Sequence, residues 1–90
     1  MRTLVVSTAF RKDLKRVNRR GYDLQKLQAM IAKLQRGEAL SPQDRAHPLK
    51  GEWKGYWDCH IEPDWVLIYK LTNDELRLAR TGTHADPFRA

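Results

Sequence analysis

Ninety residues suffice for one small domain and leave no room for a second core. At 41% hydrophobic and 31% charged, the chain lies in the globular range, and no apolar run approaches the ~20 residues of a membrane span. A lone cysteine excludes a disulfide framework, and with no export-signal pattern the expected setting is the cytoplasm, with no membrane partner.

The net charge of +6 is unevenly spread. Residues 1–36 carry ten Lys or Arg against Asp13 and Asp23, a balance of +8, which leaves −2 for the rest. A basic part beside a slightly acidic, histidine-bearing part suggests that one holds a polyanion on which the other works. A solvated helix face is the plainer reading of the same charges.

Thr3 to Val6 are β-prone, and Ser7 and Thr8 offer an N-cap. Phe10, Leu14 and Val17 then recur at helical spacing, with Arg11, Lys12, Lys15, Arg16, Arg19 and Arg20 on the exposed face. Gly21 is a C′ stop, Asp23 caps a second helix with the stripe Leu24, Leu27, Ile31 and Leu34, and Gly37 ends it. The short link predicts an antiparallel helix pair. Residues 37–46 read as a loop, with Pro42 opposing a continued helix.

Strands follow. Alternation predicts Trp57, Cys59 and Ile61 on a core face and Tyr56, Asp58, His60 and Glu62 facing outward. Pro63-Asp64 turns the chain into Trp65–Leu71, a nearly continuous apolar run and so a central strand. Thr72-Asn73-Asp74 turns it again into Glu75–Thr81, which Gly82 ends. Strand, two helices and three strands predict a single α+β domain over residues 1–90, with two N-terminal helices on one face of a mostly antiparallel four-stranded sheet.

The chemistry-bearing residues gather in the last half. Histidine both takes and gives a proton near neutral pH, so His47, His60 and His84, with Asp64 at a strand turn, suit general acid–base work. Ordinary surface or capping histidines are the alternative. Three His plus Cys59 would satisfy a zinc count, but Cys59 and His60 are adjacent in a strand and point apart, and no metal-ligand spacing is present. The expectation is no metal and no cofactor, with Cys59 a small buried hydrophobe. Trp57 and Tyr69 are expected in the core; Trp65, beside Asp64, and Phe88, after the last strand, are better placed to stack on a base.

Three segments carry a family likeness: His47-Pro48-Leu49-Lys50-Gly51, His60-Ile61-Glu62-Pro63-Asp64-Trp65-Val66-Leu67-Ile68-Tyr69, and Arg80-Thr81-Gly82-Thr83-His84. In that order they resemble the YafQ family of toxins in the RelE superfamily. The resemblance implies a RelE-like α+β fold and a type II toxin that cuts messenger RNA in the decoding site of the 70S ribosome, without metal or cofactor. It places the family's functional residues on His47, His60, Asp64, Trp65, His84 and Phe88. The hypothesised roles make His84 the general acid, share base, orientation and phosphate duties among His47, His60 and Asp64, and leave Trp65 and Phe88 to position the nucleotide. The basic helix face would then contact ribosomal RNA. The implied protein partner is a small, acidic, partly disordered antitoxin, through which alone the chain would reach operator DNA. Two other readings remain open: a non-catalytic RNA-binding module and a protein that works only with its antitoxin. Ala85-Asp86-Pro87 before Phe88 departs from the family pattern.

Overall fold

The first change of period in the chain, from Thr3-Leu4-Val5-Val6 to the spacing of Phe10 and Val17, is where strand gives way to helix. In the computed structural model, which describes residues 1–86, β1 spans Thr3–Val6 and α1 spans Thr8–Arg19. Ser7 caps α1 by accepting from the Phe10 amide, at 2.9 Å. Gly21, with φ of 83°, turns the chain into α2 (Leu24–Arg36), whose N-cap Asp23 accepts from the Gln25 amide. Single turns of 3-10 helix at Pro42–Asp44 and Gly51–Trp53 flank β2 (His47–Pro48). The remaining strands are β3 (Trp57–Glu62), β4 (Trp65–Leu71) and β5 (Glu75–Gly82).

The sheet runs β1-β5-β4-β3-β2, antiparallel throughout except for the parallel β1–β5 pair. It has five strands rather than the expected four. β2 is two residues long, too short to show any periodicity, and its Pro48 is tolerated because β2 lies at the sheet edge. On the helix side, Phe10, Val17, Leu27, Met30 and Leu34 pack with Cys59, Trp65, Leu67, Tyr69, Leu76 and Leu78. That apolar layer holds both helices to one face, as the spacing predicts. No helix among the described residues is long and apolar enough to cross a membrane.

The face assignment of β3 needs correction at its first two residues. Trp57, expected in the core, is 41% exposed, and Asp58, expected to face outward, is fully buried. Alternation is a reliable guide only when one face of a sheet is open. Here the second face is also covered at its centre: Ile68 and Val66, the partners of Asp58 and His60, are buried outside the helix-side core. Trp57 lies beyond that centre, paired with Pro48 of the edge strand.

One irregularity shapes the far end of β5. Its ladder with β4 shifts register between Ile68 and Tyr69, so Ala79 is an extra residue. The bulge re-aims the rest of the strand, and Thr81 comes to oppose Leu67 on the helix side.

Candidate active site

The register of the sheet decides which histidines can meet. His60 on β3 opposes Val66 on β4, and Val66 opposes Gly82 on β5, two residues before His84. Asp64 sits in the exposed turn between β3 and β4, at the same end of the sheet. Three segments distant in sequence thus deliver His60, Asp64 and His84 to one place. The His60 and His84 rings lie 5.5 Å apart, tilted by 41°. Asp64 Oδ1 accepts from the His84 ring at Nδ1, 2.6 Å away, and from the His84 amide at 3.0 Å. The side-chain hydrogen bond from His84 holds the Asp64 carboxyl below the usual carboxylate range, with the His84 amide adding to it.

His47 joins from the edge strand. It opposes Asp58, and Asp58 shares a sheet face with His60 two residues on, so His47 and His60 are diagonal neighbours. His47 Nδ1 lies 3.1 Å from the Arg45 carbonyl and 3.1 Å from Asp58 Oδ1. Its ring is half exposed, while the carboxylate beneath it is fully buried.

All three imidazoles are anchored the same way. His60 Nδ1 faces the Pro63 carbonyl at 3.2 Å, His47 Nδ1 faces a carbonyl and a carboxylate, and His84 Nδ1 faces a carboxylate. Carbonyl and ionised carboxylate oxygens only accept, so each ring must carry its proton on Nδ1 when neutral. Nε2 is left in each case as the nitrogen for chemistry. As a neutral ring it is a base; with a second proton it is an acid.

The backbone that carries His84 is tied down by ion pairs with α1. Asp13, buried completely, accepts from Arg80 at 2.7 and 3.0 Å, from Arg16 at 3.1 Å and from the Thr81 amide at 3.2 Å. Asp86, 7% exposed, accepts from the Thr83 amide at 2.7 Å and the Thr83 hydroxyl at 3.3 Å. The Arg20 guanidinium meets both Asp86 oxygens at 3.4 Å, and Arg16 lies 3.8 Å away. Burial alone would push the Asp86 carboxyl up, but the Thr83 amide, Arg20 and Arg16 outweigh it and hold it below its ordinary value. His84 is therefore presented from a turn closed by Asp86.

Sequence patterns do not single out Asp13, Asp58 and Asp86 as parts of the site. Asp13 carries a signal of its own, since it falls three residues after Phe10 and four before Val17, inside the apolar stripe. Asp86, a departure from the family pattern ahead of Phe88, is the residue that closes the His84 turn. Arg16 and Arg20, grouped by spacing with the basic face, are engaged by these carboxylates. Arg11, Lys12, Lys15 and Arg19 remain exposed on the helix surface.

Trp65 is placed differently from expectation. It is 1% exposed, donates its indole N–H to the Thr81 hydroxyl at 2.9 Å and packs edge-on against Tyr22 at 4.9 Å. The ring expected to stack on a base is a core residue, because Trp65 shares the helix-side face with Leu67 and Tyr69. Phe88 lies outside the described residues. Cys59 is fully buried, and burial, with Asp44 and Asp58 adding to it, pushes its thiol up to about 12, so it is no nucleophile.

Comparison with known proteins bears on what such a site does. A family described as bacterial toxin of type II toxin-antitoxin system, YafQ, matches residues 2–89. The mRNA interferase toxin YafQ of Escherichia coli K12 is 46% identical over 88 residues, covering 97% of this chain and 96% of the relative. The toxin in the E. coli DinJ-YafQ toxin-antitoxin complex superposes with a TM-score of 0.89 at 45% identity, over 97% of each chain. A metal-bound toxin from Helicobacter pylori superposes with a TM-score of 0.89 at 37% identity, over 98% of this chain and all of that one (100%). Among the described residues here, no group of three His, Cys, Asp or Glu side chains is placed to hold a metal ion.

Proposed function

We propose that this chain, which belongs to the YafQ family of bacterial type II toxins, is an mRNA interferase that cuts messenger RNA in the decoding site of the ribosome by acid–base catalysis. One observation carries the reading: a histidine fixed through Nδ1 to a carboxylate stands 5.5 Å, ring to ring, from a second histidine. Two imidazoles so placed match the two proton transfers of phosphodiester transesterification.

In that reaction a ribose 2′-hydroxyl gives its proton to a base and attacks its own 3′ phosphate. The P–O5′ bond breaks, and an acid protonates the departing 5′-oxygen. The products are a 2′,3′-cyclic phosphate and a 5′-hydroxyl, and neither water nor cofactor is consumed. His84 is the acid, giving up the proton on Nε2, while Asp64 fixes its tautomer and direction. His60 takes the 2′-hydroxyl proton, and His47 meets the phosphate from the sheet edge. Each acid–base role contributes about 10²–10⁴-fold. The exposed cations of α1 hold ribosomal RNA through its phosphates.

The protein partner is an antitoxin, acidic and partly disordered, which blocks the toxin and carries it to operator DNA. The test is primer-extension mapping of transcripts after induction, on ribosomes and on free RNA. The chain should produce 5′-hydroxyl ends on translated messages, and His84→Ala should produce none while still binding antitoxin. Undiminished cutting by His84→Ala removes His84 from the mechanism. No cutting by the unaltered chain points instead to RNA binding or antitoxin interaction alone.

A further inference from the structure

A cavity of about 360 Å³ opens beside the histidine pair, its walls including Gln43, Asp44, Arg45, His60, Glu62 and Pro63. That volume is in the ~300–1,000 Å³ range of small-ligand clefts. His60 belongs to both places, forming one wall of the cavity and facing the His84 ring. A larger cavity of about 780 Å³, lined by Met1, Arg2, Asn73 and Asp74 among others, touches none of the histidines.

The acids of the smaller cavity are already committed. Asp44 accepts from the Ser41 amide and hydroxyl, at 3.0 and 3.2 Å, and lies 3.9 Å from Lys33. Glu62 accepts from Lys26 at 3.0 Å. Gln43 and Arg45 are exposed, and their side chains make no hydrogen bond or ion pair among the described residues. Arg45 is also the one non-glycine with positive φ among those residues, at 49°, and its carbonyl accepts from His47. An uncommon backbone conformation thus ties the rim of the cavity to the catalytic histidines.

The geometry points to a second nucleotide subsite, in which this cavity takes the base next to the scissile linkage and Gln43 with Arg45 reads it. The inference rests on the nuclease reading and adds a specificity to it. A guanidinium presents a planar fork of donors and no acceptor, so it selects a base edge with two adjacent acceptors, as guanine O6 and N7 provide. Unpaired RNA bases expose those edges. The Gln43 amide, both donor and acceptor, meets the remaining polar edge.

The experiment maps 5′-hydroxyl RNA ends across the transcriptome after induction of the unaltered chain, Gln43→Ala, Arg45→Lys and His84→Ala. The unaltered chain should favour cuts flanked by guanine. Arg45→Lys keeps the charge but loses the fork, and should lower the ratio of guanine-flanked to other cuts about tenfold; Gln43→Ala should lower it as well. The ratio compares sites within one sample, so a smaller yield of folded protein does not move it. A pattern indifferent to the flanking base, or a ratio unchanged in both variants, overturns the subsite. An unaltered chain that produces no ends, like His84→Ala, overturns the nuclease reading and the subsite with it. Where a variant folds too poorly to cut, short RNAs with a 2′-deoxy linkage and different flanking bases are bound to His84→Ala protein; equal affinities overturn the proposal.

Discussion

A single oxygen, Asp64 Oδ1, receives both the main-chain amide and the ring Nδ1 of His84. The β3–β4 turn thereby sets the position, orientation and tautomer of a residue that follows β5. Asparagine at position 64 can still offer a carbonyl to the amide, but it brings no charge to the ring. Asp64→Asn should lower kcat about 10²–10⁴-fold, the usual worth of an acid–base group, with little change in KM. Single-turnover cleavage on translating ribosomes measures it, and an unaffected kcat would leave Asp64 with a merely local structural part.

Asp86 is the corresponding test of the turn itself. Asp86→Ala leaves the Thr83 amide without its acceptor and Arg20 without its carboxylate, while Arg16 keeps Asp13. Displacing His84 by about 1 Å should cost about 10²-fold in kcat, and Asp86→Asn, which can still accept from Thr83, should recover part of that. The pH dependence has a definite sign. Because the carboxyl is held below its ordinary 3.8 in the folded chain, its contribution to stability is whole above that value and disappears as pH falls through the lower folded value. Urea midpoints of the unaltered chain and Asp86→Asn should therefore converge at strongly acidic pH.

Asp13 joins the helix layer to the end of the sheet that carries His84. Removing it as Asp13→Ala strands the Thr81 amide and takes from Arg80 its two-pronged acceptor. Loss of one partner from a buried charge pair costs roughly 3–5 kcal/mol. Arg80 is a quarter exposed, so the lower end, about 3 kcal/mol, is expected in equilibrium denaturation.

The cations of α1 should divide into two classes. Reversing Lys12 and Lys15 should weaken ribosome association and shrink its salt dependence, by about one in the log–log slope for each phosphate no longer neutralised. Reversing Arg16 or Arg20 should instead act on folding and kcat, through Asp13 and Asp86. Equal behaviour of the two pairs would remove the distinction.

Both helices, their caps at Ser7 and Asp23, the stop at Gly37 and the three long strands are legible from local spacing, because each depends on neighbours within about one turn. β2 is not, since two residues carry no period. The burial of Asp58 and Trp65 is hidden for another reason: it depends on whether the second sheet face is covered, and on a register between segments far apart. The histidines and Asp64 stand out by chemical type alone. Their 5.5 Å and 2.6 Å separations follow from the His60–Val66–Gly82 row, which no local pattern encodes. The carboxylates behind them are the least legible, because an Asp reads as solvated until its arginine is found.

The parallel pairing of β1 with β5 has a consequence for how a member of this toxin family is made. Thr3 pairs with Glu75 and Val6 with Leu78, so the first strand to be synthesised has no neighbour until β5 has been made. Chains fold as they emerge, N-terminal parts first, and such long-range closure comes late. While β5 is still inside the exit tunnel, the sheet lacks the strand that joins β1 to β4, and His84 has no Asp64 to face. The pairing of His84 with Asp64, and the closed sheet that presents it, therefore exist only in a chain whose last strand has cleared the tunnel.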